Sequence, residues 1–135
     1  MASGDCIFCR IVKRELPATV IREDERTIAF MDINPATRGH CLVIPKNHHD
    51  DAIAASPEDL AACAVAAGDL AGRAVERLGA DGAAVVSFAR PAAGQTVFHL
   101  HFHVVPRYIN DGLQLPWIPQ PGDPEVIAAA AKELS

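Results

Sequence analysis

Residues 94–106 read Gly94-Gln95-Thr96-Val97-Phe98-His99-Leu100-His101-Phe102-His103-Val104-Val105-Pro106. Apolar and imidazole side chains alternate through the second half of this run. A period of two predicts a β-strand from Thr96 to Val105, ended by Pro106. Alternate residues of a strand share a face. His99, His101 and His103 therefore point one way, and Leu100, Phe102 and Val104 point the other way, into apolar packing. Imidazoles titrate near neutral pH and need polar partners when buried, so three in a row are costly to leave without use. One metal ion cannot take all three. Next neighbours on a face stand ~6.6 Å apart and the outer pair ~13 Å, whereas ligand bonds are ~2 Å long. An adjacent pair can share an ion, which leaves at least one histidine for other work. The plainer alternative is a solvated edge-strand face or a set of satisfied core histidines. Against it stands the neighbouring Gly94-Gln95-Thr96, whose composition suits a phosphate cradle.

Outward from this segment, Arg90 to Gly94 is a loop and Ala83 to Phe88 a strand. Before them comes the clearest helix of the chain. Ser56 is its N-cap, Pro57 its first helical residue, and Glu58 and Asp59 suit the positive end of its dipole. Leu60, Cys63, Ala64, Ala67, Leu70, Ala71, Ala74, Val75 and Leu78 mark one buried stripe, and Gly79 stops the helix. Further toward the N-terminus, Cys41 to Ile44 is a short apolar strand closed by Pro45. Asp32 to Gly39 is a loop. Thr19 to Glu23 and Thr27 to Met31 are strands around an acidic turn. Ile7, Phe8, Ile11 and Val12 give the run Cys6 to Val12 the spacing of a short helix. At the other end, a Pro- and Gly-rich tail containing Trp117 leads to a short helix from Asp123-Pro124 to about Leu134. Neighbouring strands with short links pair antiparallel. The expected fold is α+β: an antiparallel sheet of about five strands, one long helix and a short N-terminal helix, in a single domain over residues 1–135.

The chain has 135 residues, half of them hydrophobic and 21% charged, which suits one soluble domain. A net charge of −5 argues against a general nucleic-acid binder, but not against a small anionic ligand held by local groups. No run approaches the ~20 apolar residues of a membrane span, so no membrane partner is expected. Met1 to Asp5 lacks the layout of a signal peptide, so a cytoplasmic location is expected. Cys41 and Cys63 sit among apolar neighbours and read as inert core. Cys6-x-x-Cys9 is different. It is half of a tetrahedral zinc site, a redox pair, or two buried thiols. Nothing around it has the pattern of a thioredoxin-like βαβ unit, which disfavours the redox reading.

His99-x-His101-x-His103 followed by Val104-Val105, with Gly94-Gln95 upstream, resembles the signature of the histidine triad (HIT) family. Three more blocks resemble that family and appear in its order: Cys6-Ile7-Phe8-Cys9-Arg10-Ile11, Ala29-Phe30-Met31-Asp32-Ile33, and Gly39-His40-Cys41-Leu42-Val43-Ile44-Pro45-Lys46-Asn47-His48. The likeness covers residues 5–108 and is greatest to small bacterial hydrolases related to the nucleoside phosphoramidases. The tail 109–135 is where branches of the family vary.

The resemblance implies an enzyme. His101 would attack the α-phosphorus of a purine nucleotide and form a nucleotidyl-histidine that water then hydrolyses; a neutral imidazole suits that work. Its other nitrogen would be held by a backbone carbonyl near His99. His103 would meet the phosphate or leaving group. Gln95 and Thr96 would contact phosphate, and Gly94 would let the backbone approach closely. Asp32 would accept the ribose hydroxyls, although a turn-forming role fits the same residue. Ile7, Phe8, Ile11, Phe30 and Ile33 would line the base pocket, Phe8 and Ile33 foremost, although each also suits ordinary core. Structural zinc would sit on Cys6, Cys9, His48 and His99, with His49 an adjacent competitor and no catalytic metal required. His40 reads as a structural hydrogen-bonding residue. A homodimer is implied as well. One departure stands out. Phe88 occupies the place of the family's usual Asn, beside Ser87, and Arg90 brings a cation that either meets phosphate or lies on the surface. The leaving group stays open among phosphoramidates, dinucleoside polyphosphates and aminoacyl-adenylates. Rival readings are a non-catalytic purine-nucleotide-binding regulator with a structural zinc, a metal hydrolase built on a His-x-His pair, and a nucleic-acid end-processing role, which the lack of a basic patch disfavours.

Overall fold

The computed structural model describes residues 5–114 and 117–135. Along the chain run α1 (Ile7–Val12), β1 (Val20–Glu23), β2 (Thr27–Met31), β3 (Cys41–Pro45), α2 (Pro57–Leu78), β4 (Gly82–Val86), β5 (Phe102–Arg107) and α3 (Pro124–Leu134). The five strands form one antiparallel sheet in the order β1-β2-β3-β5-β4. This is the expected α+β architecture.

Strand alternation sorts the core into two layers. Ile28 and Phe30 of β2 and Leu42 and Ile44 of β3 pack with Phe8, Cys9 and Ile11 of α1. Ala29, Cys41, Val43 and Val104 face the other way, against Cys63, Ala66, Ala67 and Leu70 of α2. Leu42 is paired with His103 across β3 and β5, and Val104 follows on the α2 side. Parity therefore puts His103 on the α1 face. The long helix starts and stops where its capping chemistry dictates. Ser56 Oγ accepts the Asp59 N–H, and Gly79 closes the other end with φ 71°. Its buried residues are Asp59, Cys63, Ala66, Ala67, Leu70 and Ala74. Ala64 and Val75, expected in that stripe, face solvent instead. The contact stripe follows 63-66/67-70-74, and Ala64 and Val75 fall on its flank.

The histidine strand also differs from expectation. It begins at Phe102, not Thr96, and continues through Pro106 to Arg107. Residues 95–100 bond to the loop after β3 instead of a ladder. Leu100 N–H donates to His49 O at 2.7 Å, and Gln95 Nε2 donates to Asp50 O and Val97 O. Proline is tolerated inside β5 because β3 pairs only as far as Val104, so one side of Pro106 needs no donor. Strand β4 stops at Val86, short of the expected Phe88.

A buried carboxylate ties the site loop to α2. Asp59 is 2% exposed and accepts from His49 Nε2 (2.8 Å), Asn47 Nδ2 (3.1 Å) and Arg26 Nη1 (2.9 Å). These hydrogen bonds, His49 foremost, outweigh burial and hold its carboxyl at about 2. The folded value lies below the unfolded one, so the stabilisation is present above about pH 4 and is lost as pH falls toward 2. Asp59→Asn is expected to melt below the parent at pH 7, with the gap closing as pH approaches 2. A gap independent of pH, measured by thermal denaturation across that range, would refute this account.

Candidate functional site

Two linked centres lie on the α1 face. The first is formed by Cys6 at the N-cap of α1, Cys9 in its first turn, His48 after β3 and His99 ahead of β5. Cys6 Sγ stands 3.3 Å from His99 Nδ1, Cys9 Sγ 3.3 Å from His48 Nδ1, and Cys9 Sγ 3.5 Å from His99 Nδ1. The opposite ring nitrogens are both engaged. His99 Nε2 meets the Pro45 carbonyl at 2.9 Å, and His48 Nε2 meets Asp50 Oδ1 at 2.9 Å. A carbonyl and a carboxylate can only accept, so each ring carries its proton on Nε2 and turns the Nδ1 lone pair toward the sulfurs. Tetrahedral zinc with bonds of ~2.3 Å to S and ~2.0–2.1 Å to N sets S···N edges of ~3.5 Å. The four residues fit such an ion in spacing, donor type and outer hydrogen bonding. Burial supports the same reading: it pushes the Cys9 thiol up to about 11 and His99 down to about 4, so the thiolates need a cation while the imidazole stays neutral. His49 lies outside the cluster: it is His48 whose Nδ1 reaches Cys9 Sγ, while His49 turns its Nε2 to Asp59.

The second centre holds His101 and His103. The edge of Phe8 meets both His99 (centroids 5.9 Å) and His101 (5.2 Å), and His101 meets His103 at 5.0 Å. The three rings thus share one side, although His99 and His101 precede the strand proper. His101 Nδ1 lies 2.8 Å from the His99 carbonyl, so the proton sits on Nδ1 and the lone pair on Nε2. The residue is only 6% exposed, yet Nε2 has no hydrogen-bond partner among the described residues. No buried side-chain polar atom there lacks one, so Nε2 opens to solvent. Burial lowers the His101 pKa and pushes His103 down to about 4, so both rings are neutral at pH 7. Ser87 Oγ donates to the His101 carbonyl at 2.8 Å. Phe88 lies against His103, with centroids 5.5 Å apart.

The remaining expected residues are placed as follows. Phe8 and Phe30 meet edge to face at 5.5 Å, both buried, while Ile7 is half exposed. Ile33 is 91% exposed and takes no part in that packing. Asp32 Oδ1 accepts the Asn34 N–H in a tight turn, and Oδ2 lies 3.4 Å from His40 Nε2. Gln95 is buried and its amide is fully used, accepting from Arg90 N–H and donating to Asp50 O and Val97 O. Its side chain shapes the loop. Thr96 and Gly94 are exposed, with Gly94 at φ 105°. Arg90 has φ 75° and ψ 159°, a region that only glycine populates freely. Its guanidinium is exposed, 3.9 Å from Asp51. A concavity of about 390 Å³ bounded by Ile21, Met31, Cys41, Leu70 and Leu78 lies on the α2 face and is no part of this site.

The HIT domain family model matches residues 13–110. The chain belongs to the HIT family. A HIT-like protein of Methanocaldococcus jannaschii is 42% identical over 79% of this chain and 82% of its own. The adenosine 5'-monophosphoramidase of Schizosaccharomyces pombe is 36% identical over 96% of both chains. A crystal structure of a Zn-bound histidine triad family protein from Mycobacterium smegmatis is 42% identical, covers 98% of this chain and 97% of its own, and superposes with a TM-score of 0.80. Within this HIT fold, the sequence pattern carried the triad and the cysteine pair. The family resemblance also pointed to the carbonyl near His99 that holds His101, which is the His99 carbonyl itself; the partners missed were the Pro45 carbonyl, Asp50 and the Ser87 hydroxyl. No spacing rule marks a backbone carbonyl that becomes an acceptor only after folding.

Proposed function

We propose that this HIT protein hydrolyses purine nucleotides at the α-phosphorus, as a nucleoside phosphoramidase or dinucleoside polyphosphate hydrolase, through a nucleotidyl-histidine on His101. One observation carries the reading: the Nε2 lone pair of His101 opens to solvent while its Nδ1–H is locked on the His99 carbonyl. The phosphoramidase of fission yeast, similar along 96% of both chains, favours the phosphoramidate type. In the first step Nε2 bonds to phosphorus and the P–N or P–O bond breaks; a departing amine takes up one proton from solvent water and leaves neutral. The phosphorylated imidazole keeps Nδ1–H and carries positive charge, which the His99 carbonyl stabilises. In the second step water attacks phosphorus, the P–N bond to His101 breaks, and the nucleoside monophosphate and one proton are released. Asp32 would hold the ribose, with Phe8, Ile7, Phe30 and Ile33 on the base side. Thr96 and the backbone at Gly94 would face phosphate. Acid quenching during turnover, followed by mass spectrometry, should find one nucleotidyl group on the peptide containing His101. Nucleotide binding without any such adduct would leave a binding protein in place of an enzyme.

Two further elements belong to this reading. Zinc on Cys6, Cys9, His48 and His99 would be structural, since four protein ligands leave no open position for substrate. The protein would act as a homodimer. Edge strand β4 exposes Ala83, Ala84 and Val85, and α2 beside it exposes Val65 and Val75, an apolar surface that a second copy would cover. Light scattering should give twice the chain mass at micromolar concentration; a monomer there would refute the dimer.

A further inference from the structure

His40, Asp32 and His103 bring ligand-type atoms within 4.8 Å of one another, the spacing of a metal site. The hydrogen bonds argue against a metal there. The Ala36 N–H donates to His40 Nδ1 at 2.9 Å. A backbone amide can only donate, so Nδ1 is unprotonated and neutral His40 carries its proton on Nε2. A metal at Nε2 would drive that proton to Nδ1, against the Ala36 N–H. The proton points instead at His103 Nδ1, 3.0 Å away, with Asp32 Oδ2 as a second acceptor at 3.4 Å. Two ring nitrogens at that distance share one proton, so His103 Nδ1 accepts. The only proton of neutral His103 is then on Nε2, which has no hydrogen-bond partner among the described residues.

His40 itself is held in place. It is 6% exposed, its N–H donates to Thr37 O, and its carbonyl accepts the Asp32 N–H. A rigid turn thus sets one tautomer, and the next ring inherits it. Neighbouring His101 is set the other way by the His99 carbonyl. The two rings, 5.0 Å apart, present opposite characters: an open lone pair on His101 Nε2 and an open N–H on His103 Nε2.

We infer that His40 is a positioning residue that fixes His103 as a hydrogen-bond donor toward the group leaving phosphorus. The inference deepens the hydrolase reading and rests on it for its kinetic consequence. As the bond to the leaving group breaks, negative charge grows on the departing atom. A preset donor stabilises that charge without reorganising; the Nε2–H proton stays on His103, and the proton that a departing amine takes up comes from solvent. The gain is greatest for poor leaving groups, which develop the most charge, and small for a group that departs readily as an anion.

Two measurements test this. In protein labelled with ¹⁵N-histidine, long-range ¹H–¹⁵N spectra report which ring nitrogen is protonated. Wild-type His103 should show the Nε2–H form alone. His40→Ala should admit the Nδ1–H form, and His40→Gln, which keeps a donor of similar reach, should restore Nε2–H. In kinetics, His40→Ala should lower kcat for an alkylamine phosphoramidate of adenosine monophosphate about tenfold or more. It should change kcat for the p-nitrophenyl ester far less, with little effect on KM for either, and His40→Gln should recover most of the loss. An Nδ1–H His103 in the wild type, or equal losses on both substrates, would overturn the inference. If the wild type turned over neither substrate, the hydrolase reading would fall, and the tautomer spectra would still decide whether His40 sets His103.

Discussion

His101→Ala is expected to lose about 10⁴-fold or more in kcat/KM on nucleoside phosphoramidates while still binding nucleotide. The magnitude is that of removing a nucleophile whose supporting groups stay in place. Three features of the site supply it. The Nδ1–H is locked on the His99 carbonyl. The imidazole stays neutral because burial lowers its pKa. Phe8 and His103 hold the ring from two sides. None of these can be taken over by water in the space left by alanine, and His103 cannot substitute, because its outward nitrogen carries a proton in place of a lone pair. The variant keeps Asp32, Phe8 and the loop at 94–96, so nucleotide affinity should change only modestly. Steady-state kinetics beside equilibrium binding separates the two effects, and the covalent adduct should disappear. Activity within about tenfold of the wild type would sink the nucleophile assignment.

Cys9→Ser is expected to release the metal and to lower the melting temperature by about 10–20 °C, from a loss of roughly 3–5 kcal/mol. Cys9 approaches both histidines of its cluster, at 3.3 Å and 3.5 Å, so removing its sulfur takes away a ligand that both rings face. The cluster joins α1 to the loop after β3 and to the segment entering β5; those two segments also bond to each other directly, so α1 is the piece that depends most on the metal. Purified wild type should carry one zinc per chain by elemental analysis. A strong chelator should reproduce the loss of stability, and zinc should restore it. Activity should fall along with stability, because His99 supplies both a zinc-facing Nδ1 and the carbonyl that orients His101. Wild-type protein prepared without chelators and free of metal, or a Cys9→Ser variant that melts with its parent, would refute the site.

The elements most legible in the chain are those whose cause is local. Ser56 and Gly79 bound α2 because a side-chain cap and a left-handed φ act within one turn. Strands β2 and β3 fall at the expected residues because a short apolar run there serves two buried faces at once. The start of β5 was not legible, because alternation from Thr96 onward is indifferent to whether the backbone bonds to a strand or, as here, to the loop carrying His49 and Asp50. Nor could spacing choose between His48 and His49. They are adjacent in the chain, and only the fold turns His48 Nδ1 to Cys9 Sγ and His49 Nε2 to Asp59 on α2.

Residue type and order alone determined that this chain would place three imidazoles together beside a cysteine pair in a HIT α+β fold, because period and motif are properties of the string. Tertiary structure decided which nitrogen of each imidazole carries the proton. That property depends on acceptors and donors drawn from distant segments: the Pro45 carbonyl for His99, Asp50 for His48, and the Ala36 amide through His40 for His103. A neutral histidine can carry its proton on either ring nitrogen until its surroundings choose between them, and those surroundings exist only once the chain has folded.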